Sequence, residues 1–264
     1  MKLKYNFHTH TYRCGHAKGK DKDYVNKAIE NGFKVLGFSD HVMIKHHPQK
    51  GIRGRYSQLN GYIKSINNLK VKYKDRIEIH VGLECEYYPS QVSYYKKLLK
   101  EKKIEYLILG QHCYLDEKGR FQWYLGHDNK IQRIEKYVKD LITGMSTGLF
   151  SYVAHPEYYV RLFKEYNPIM DKYAKMICTA SVKYNVPLEM NLAGVRAWYL
   201  KEDNLHYPDP HFWRIASELG VKVVIGVDAH DPNDFSVSNY QYAYDIIEKY
   251  QLNFIESFTI NEKE

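Results

Sequence analysis

The chain has 264 residues, 44% hydrophobic, 15% aromatic and 27% charged, which suffices for one large core and rules out a disordered chain. Its 39 Lys and Arg against 31 Asp and Glu leave a charge of +8 that favours anionic partners, but the lysines are scattered and no nucleic-acid motif gathers them. No apolar run nears the roughly 18 residues that cross a bilayer. The start MKLKYNFHTH lacks a signal-peptide core, and Cys14, Cys85, Cys113 and Cys178 form neither a disulfide framework nor a zinc ribbon, so the expectation is a cytoplasmic protein.

In chain order the pattern alternates strands and helices. The run 2–10 (KLKYNFHTH) reads as a first buried strand; Tyr24, Val25, Ala28 and Ile29 follow at helical spacing and stop at Gly32. A second strand covers 34–41 (KVLGFSDH), a helix is expected near 55–74, and a third strand covers 77–87 (IEIHVGLECEY). After a helix near 90–103 comes the fourth strand, 104–114 (IEYLILGQHCY). Ile131, Ile134, Val138, Leu141 and Met145 predict a helix with Asp128 as its N-cap. The fifth strand, 150–158 (FSYVAHPEY), precedes a helix carrying Met170, Tyr173, Ala174, Ile177 and Ser181. The sixth strand, 186–194 (VPLEMNLAG), a helix near 209–219, the seventh strand, 221–232 (VKVVIGVDAHDP), and a helix near 239–250 complete the series.

Seven alternations with near-continuously apolar strands predict an α/β fold whose parallel sheet is covered by helices. No linker, repeat or low-complexity segment divides the chain, so a closed or nearly closed β/α barrel of one domain (1–264) is expected, ahead of a doubly wound open sheet. Either fold gathers function at the carboxyl ends of its strands.

Those ends are where the ionisable residues fall. His8 and His10 alternate, so both imidazoles face one way; His16 follows in a loop. The second strand ends in Asp40-His41, the third in Glu84, the fourth in His112, the fifth in His155, and the seventh in Asp228-Ala229-His230. Imidazole with carboxylate and no thiolate suits Zn²⁺, Mn²⁺ or Fe in a catalytic site. Nine candidate ligands exceed what one ion takes, so two or three ions are implied.

The ordered set HTH, CGHAKG, FSDH, GLE, GQH, AHP and GVDAH resembles the polymerase-and-histidinol-phosphatase (PHP) superfamily, and within it the monofunctional histidinol-phosphatases, from His8 to about Asp231. The resemblance implies a distorted, TIM-barrel-like (β/α)7 barrel with three divalent ions. The first would lie between His8, His10, Glu84 and Asp228. Glu84 would bridge to a second held with His112 and His155, and His16, His41 and His230 would hold the third. It further implies hydrolysis of L-histidinol phosphate to L-histidinol and inorganic phosphate, in histidine biosynthesis, with hydroxide bridging the metals as nucleophile. A phosphoesterase of other specificity, including a phosphodiesterase or 3′-exonuclease, is the alternative.

Independently of that resemblance, divalent ions outweigh Glu84, Asp228 and a hydroxide, leaving a positive pocket suited to a phosphate monoester. Arg161 and Arg196 lie just beyond strand ends, where a guanidinium can grip phosphate oxygens. Tyr114 is placed to reach the phosphate, and Glu157, or Glu189 with Asn191 beside it, to meet the ammonium of the alcohol. Asp40 is read as orienting an imidazole. The proton donor for the leaving alcohol stays open among His230, Asp40 and a bound water. Cys85 and Cys113 are read as buried packing and His80 as a satisfied core histidine. A C–N hydrolase is disfavoured because no strand ends in the lysine such barrels carboxylate, and a non-catalytic barrel because the ligand set is full.

Overall fold

Parallel strands form along the apolar runs. The computed structural model describes residues 3–126, 128–198, 205–236 and 240–260. In it β1 (Tyr5–Asn6), β2 (Val35–His41), β3 (Glu78–Cys85) and β4 (Tyr106–Leu109) lie side by side, all parallel. The chain then makes an antiparallel hairpin, β5 (Cys113–Leu115) and β6 (Phe121–Trp123), before β7 (Leu188–Asn191), β8 (Lys222–Gly226) and β9 (Asn253–Phe254) form a second parallel set. Single bridges join the two sets into a ring: Leu109 to Val153, Val153 to Leu188, and Thr9 to Ala229. The result is a distorted β/α barrel whose fifth strand is reduced to one residue, Val153.

Its helices are α1 (Asp21–Glu30), α2 (Leu59–Tyr73), α3 (Val92–Lys100), α4 (Lys130–Ser146), α5 (Ile169–Tyr184), α6 (Leu192–Trp198), α7 (Pro210–Glu218) and α8 (Tyr240–Tyr250). Each amphipathic stripe turns inward as its periodicity requires: α5 buries Met170, Tyr173, Ala174, Ile177, Cys178 and Ser181. In α4 the N-cap is Asn129, not Asp128, and Ile131 is exposed; the Asp128 carboxylate instead accepts from Arg133 Nη2 at 2.7 Å. Buried apolar residues form one cluster running from Leu3 to Leu252. Among the described residues no helix is long and apolar enough to cross a membrane.

Two strands are shorter than their apolar runs for local reasons. His155 takes φ +32°, which turns the chain out of the sheet toward a 3-10 turn at Tyr158–Leu162. After Asn191 the backbone enters α6 directly, with Ala193 N donating to Asn191 Oδ1 at 2.8 Å. His127 lies outside the described residues.

Candidate metal centre

Because the barrel strands are parallel, their carboxyl ends share one mouth. His8 and His10 continue β1, with Nε2 atoms 3.1 Å apart. Asp228 and His230 follow β8 across the Thr9–Ala229 bridge, and Asp228 Oδ1 stands 3.4 Å from His8 Nε2 and 3.1 Å from His10 Nε2. Glu84, near the end of β3, faces five imidazoles. Its Oε1 is 3.0 Å from His155, 3.5 Å from His112 and 3.6 Å from His8, all at Nε2. Its Oε2 is 2.8 Å from His41 Nδ1 and 3.5 Å from His10 Nε2. The glycine of GQH makes room for this carboxylate: a Cβ on Gly110 would collide with Glu84 Oε1. His16 stacks on His230 with ring centroids 4.7 Å apart and lies 5.5 Å from His41. All nine expected ligand residues therefore meet at this mouth.

The donor set fits divalent cations. Two imidazole nitrogens about 2.0–2.1 Å from one tetrahedral ion sit about 3.3 Å apart. The Nε2 pairs of His8 with His10 and of His112 with His155 stand at 3.1 and 3.2 Å, a separation that calls for a shared proton or a cation between the lone pairs. Asp228 Oδ1 and His230 Nε2 are buried without a hydrogen bond among the described residues. Ligand atoms fall into overlapping groups within 4.8 Å: His8, His10 and Glu84; His8, His155 and Asp228; His41, Glu84 and His112; His10, His41 and His230; and Cys14, His16 and His230.

Burial works against every charge here, and the residual charges show how the site is balanced. Burial raises Glu84 and Asp228, yet the imidazoles outweigh it and hold both carboxyls well below the usual range. Burial likewise depresses His8 and His10, but Asp228 and its acidic neighbours lift His8 well above its ordinary value and His10 to about 9. His41 falls to about 4 and His230 well below its ordinary value, through burial and then the charge on His10. Neutral His41 and His230 are ready donors, whereas His8 and His10 must surrender protons as cations arrive.

The PHP domain family model matches residues 6–193. The chain belongs to the PHP domain family. A "Probable histidinol-phosphatase" of Deinococcus radiodurans is 29% identical over 241 residues, covering 86% of each protein. A crystal structure described as a putative histidinol phosphatase of Listeria monocytogenes superposes with a TM-score of 0.74 at 21% identity, covering 90% of this chain and all of that one. The histidinol phosphate phosphatase of Lactococcus lactis, solved with zinc, L-histidinol and phosphate, superposes with a TM-score of 0.72 at 18% identity, covering 97% of this chain and 96% of that one.

Around the centre of this PHP chain, five of the expected substrate contacts turn out otherwise. Glu189 is fully buried: Oε1 meets His8 Nδ1 at 2.8 Å, and Oε2 accepts from His155 N at 3.1 Å and Asn191 Nδ2 at 2.7 Å. Asn191, equally buried, ties Glu189 to Asp228 Oδ2. Glu157 spends both oxygens on Asp209 N and Trp213 Nε1, each at 2.6 Å. None of the three offers a carboxylate or amide to an incoming ammonium. Tyr114 is carried off by the hairpin that interrupts its strand, its ring 5.2 Å from that of Tyr124 and under Lys136.

Arg196 is also committed, donating to the carbonyls of Val227 at 2.8 Å and Asp228 at 2.7 Å and lying 3.3 Å from Asp234. It holds the strand end on which Asp228 sits at φ +51°, in place of a free phosphate fork. Arg161 lies on the turn after His155, its Cζ 5.5 Å from the centroid of the Tyr158 ring. Asp40 lies behind the first histidine pair without bonding to it: it accepts from Thr11 Oγ1 and from His41 N, and its Oδ1 stands 3.7 Å from His10 Nδ1. Cys85 and Cys113 are buried, and the Cys14 thiol, beside His16 and His230, is pushed up to about 12 by burial. His80 lies between Glu105 at 2.6 Å and Glu78 at 2.8 Å rather than in a backbone-satisfied core.

Sequence reasoning passed over Glu86 and Tyr158. Glu86 Oε1 lies 3.3 Å from His112 Nδ1 while the carboxylate pairs with buried Arg53. The spacing Glu84-Cys85-Glu86 carried that signal, since alternate residues share a strand face. Glu189→Gln is expected to weaken metal binding about 10–100-fold by loosening His8. Competition against a chromogenic chelator measures this, and an unchanged affinity would remove that role.

Proposed function

We propose that this PHP chain is a histidinol-phosphatase that hydrolyses L-histidinol phosphate to L-histidinol and inorganic phosphate in histidine biosynthesis. The observation that carries this is the meeting of seven histidines, Glu84 and Asp228 at one barrel mouth, with Arg161 one aromatic ring away. The Lactococcus relative crystallised with L-histidinol and phosphate supports the substrate. Residues 1–264 act as one metallophosphoesterase unit, and four free buried cysteines suit a cytoplasmic, reducing compartment.

Three divalent cations, of zinc, manganese or iron, would be held by these side chains: one by His8, His10, Glu84 and Asp228, one by Glu84, His112 and His155, and one by His16, His41 and His230. When bound they supply water with a pKa near neutrality and positive charge against phosphate. The chain does the rest. Arg161 grips the phosphate oxygens from the side of His155. Glu189 holds His8, Glu86 holds His112, and Arg196 with Asp234 holds the Asp228–His230 end, so the donors are set before substrate arrives.

Metal-replete protein is expected to release phosphate from histidinol phosphate with a kcat/KM at least about tenfold above that for p-nitrophenyl phosphate. Dialysis against chelator should abolish release, and added zinc, manganese or iron should restore it. No release from any monoester would overturn the proposal. A second reading has one observation behind it: Arg161 lines a cavity of about 670 Å³ together with Lys130 and Lys164, which suits a longer anionic substrate. Single-stranded DNA in the same assay tests it.

A further inference from the structure

The seam between the first and last strands of the ring carries one rung of an ordinary parallel ladder. His10 N donates to the Ala229 carbonyl at 2.9 Å and Ala229 N to that of His8 at 3.2 Å, around the Thr9–Ala229 bridge. One rung further back, the same pattern would send the His8 amide to the Val227 carbonyl and the Val227 amide to the Asn6 carbonyl. The Asn6 side chain takes that rung instead. Its Oδ1 accepts from Val227 N at 2.8 Å and from His8 N at 3.3 Å. Its Nδ2 donates to the His8 carbonyl at 2.9 Å and to Thr9 Oγ1 at 2.8 Å. The Val227 carbonyl goes to Arg196 Nη1 at 2.8 Å.

Asparagine is depleted in strands and mostly exposed, yet Asn6 closes a strand and is fully buried, as are His8, Thr9 and Val227. A backbone amide only donates and a backbone carbonyl only accepts, so the carboxamide fits the seam one way round. One side chain thereby holds both polar groups of the His8 main chain and the amide of the residue before Asp228. Those two residues face each other across the seam, His8 Nε2 standing 3.4 Å from Asp228 Oδ1. Glu189 fixes the His8 imidazole, and Arg196 takes the carbonyls on the Asp228 side. Asn6 links the two main chains from which these donors project.

We infer that Asn6 is a positioning residue whose carboxamide replaces a main-chain rung and sets the spacing across the seam between His8 and Asp228. The inference rests on the metal-centre reading given above and adds to it the group that sets the gap between donors from the first and last strands.

The test is the zinc affinity of the full chain, stripped of metal and titrated against a chromogenic chelator, for wild type, Asn6→Leu and Asn6→Asp. It is run at a temperature where circular dichroism shows each metal-free protein folded. Asn6→Leu removes all four bonds at similar volume, whereas Asn6→Asp keeps the oxygen that Val227 and His8 share. Asn6→Leu is expected to weaken at least one zinc step about 10–100-fold, and Asn6→Asp to weaken none by more than about threefold. A seam that only stiffens the barrel would lower the metal-free melt of Asn6→Leu but leave the zinc affinity of the folded protein within about threefold of wild type. That result would overturn the inference, as would a loss in Asn6→Asp as large as in Asn6→Leu. Should Asn6→Leu not fold, Asn6→Ser, whose hydroxyl is one bond shorter, is held to the same limits. Wild-type protein that takes up no zinc would sink the metal centre and this inference together. Zinc uptake by wild type with an unaffected Asn6→Leu would sink the inference alone.

Discussion

Glu84→Gln is expected to lower kcat/KM by at least about a thousandfold, some 4 kcal/mol of transition-state stabilisation, and to lower the metal content of the purified protein. Both Glu84 oxygens are already placed against imidazole nitrogens, Oε1 against His155, His112 and His8 and Oε2 against His41 and His10. The amide removes the negative charge and turns one acceptor into a donor aimed at nitrogens that must stay free for cations. Because the replacement has nearly the same volume, the barrel should fold as before, and elemental analysis alongside phosphate release separates metal loss from unfolding. Wild-type metal content with wild-type turnover would remove Glu84 from the centre.

Glu86→Gln is expected to cost stability on the scale of a broken buried ion pair, about 3–5 kcal/mol. Arg53 is 3% and Glu86 1% exposed, and they meet in a two-pronged pair at 2.8 and 3.1 Å. Neutralising one partner leaves a guanidinium met by the Val42 carbonyl, Gln49, the Cys113 sulfur and the Phe121 ring, with no anion against it among the described residues. The pH dependence follows from the carboxyl: burial would raise it, but Arg53 and His112 bring it from 4.5 to about 2. A folded pKa below the unfolded one gives stabilisation that is complete above the unfolded value and disappears as pH falls through the folded one. The gap between wild type and variant should therefore be full at neutral pH and shrink as pH falls from 4.5 toward 2. Denaturant titrations at neutral pH and near pH 3 measure it, and a constant gap would show that the pair is not what stabilises this wall.

The ligand residues were legible because each stands at a strand's carboxyl end, where parity and topology together decide position. His8 with His10, and Asp228 with His230, needed only the alternation of a strand. The seven-strand count survives as well, although Val153 alone represents the fifth. Partnerships across the chain were not legible. Glu157 and Glu189 look like pocket carboxylates until Trp213 and His8, 56 and 181 residues away, turn out to hold them. Arg196 reads as a phosphate fork until the carbonyls of Val227 and Asp228 take its donors. The hairpin that removes Tyr114 from the mouth was foreshadowed by Asp116 and Gly119, a turn pair in which Asp116 Oδ1 accepts from Lys118 N at 2.9 Å and Gly119 takes φ +71°.

The barrel's first and last ring strands touch through a single bridge, Thr9 to Ala229, and that seam is flanked on one side by His8 and His10 and on the other by Asp228 and His230. Any ion seated there would also be a rivet between the first and last strands of the ring, closing with coordination bonds a joint that backbone pairing barely closes. Catalytic competence and mechanical integrity would then draw on the same supply of trace element. Starvation for it would loosen the whole cylinder as well as silence the enzyme.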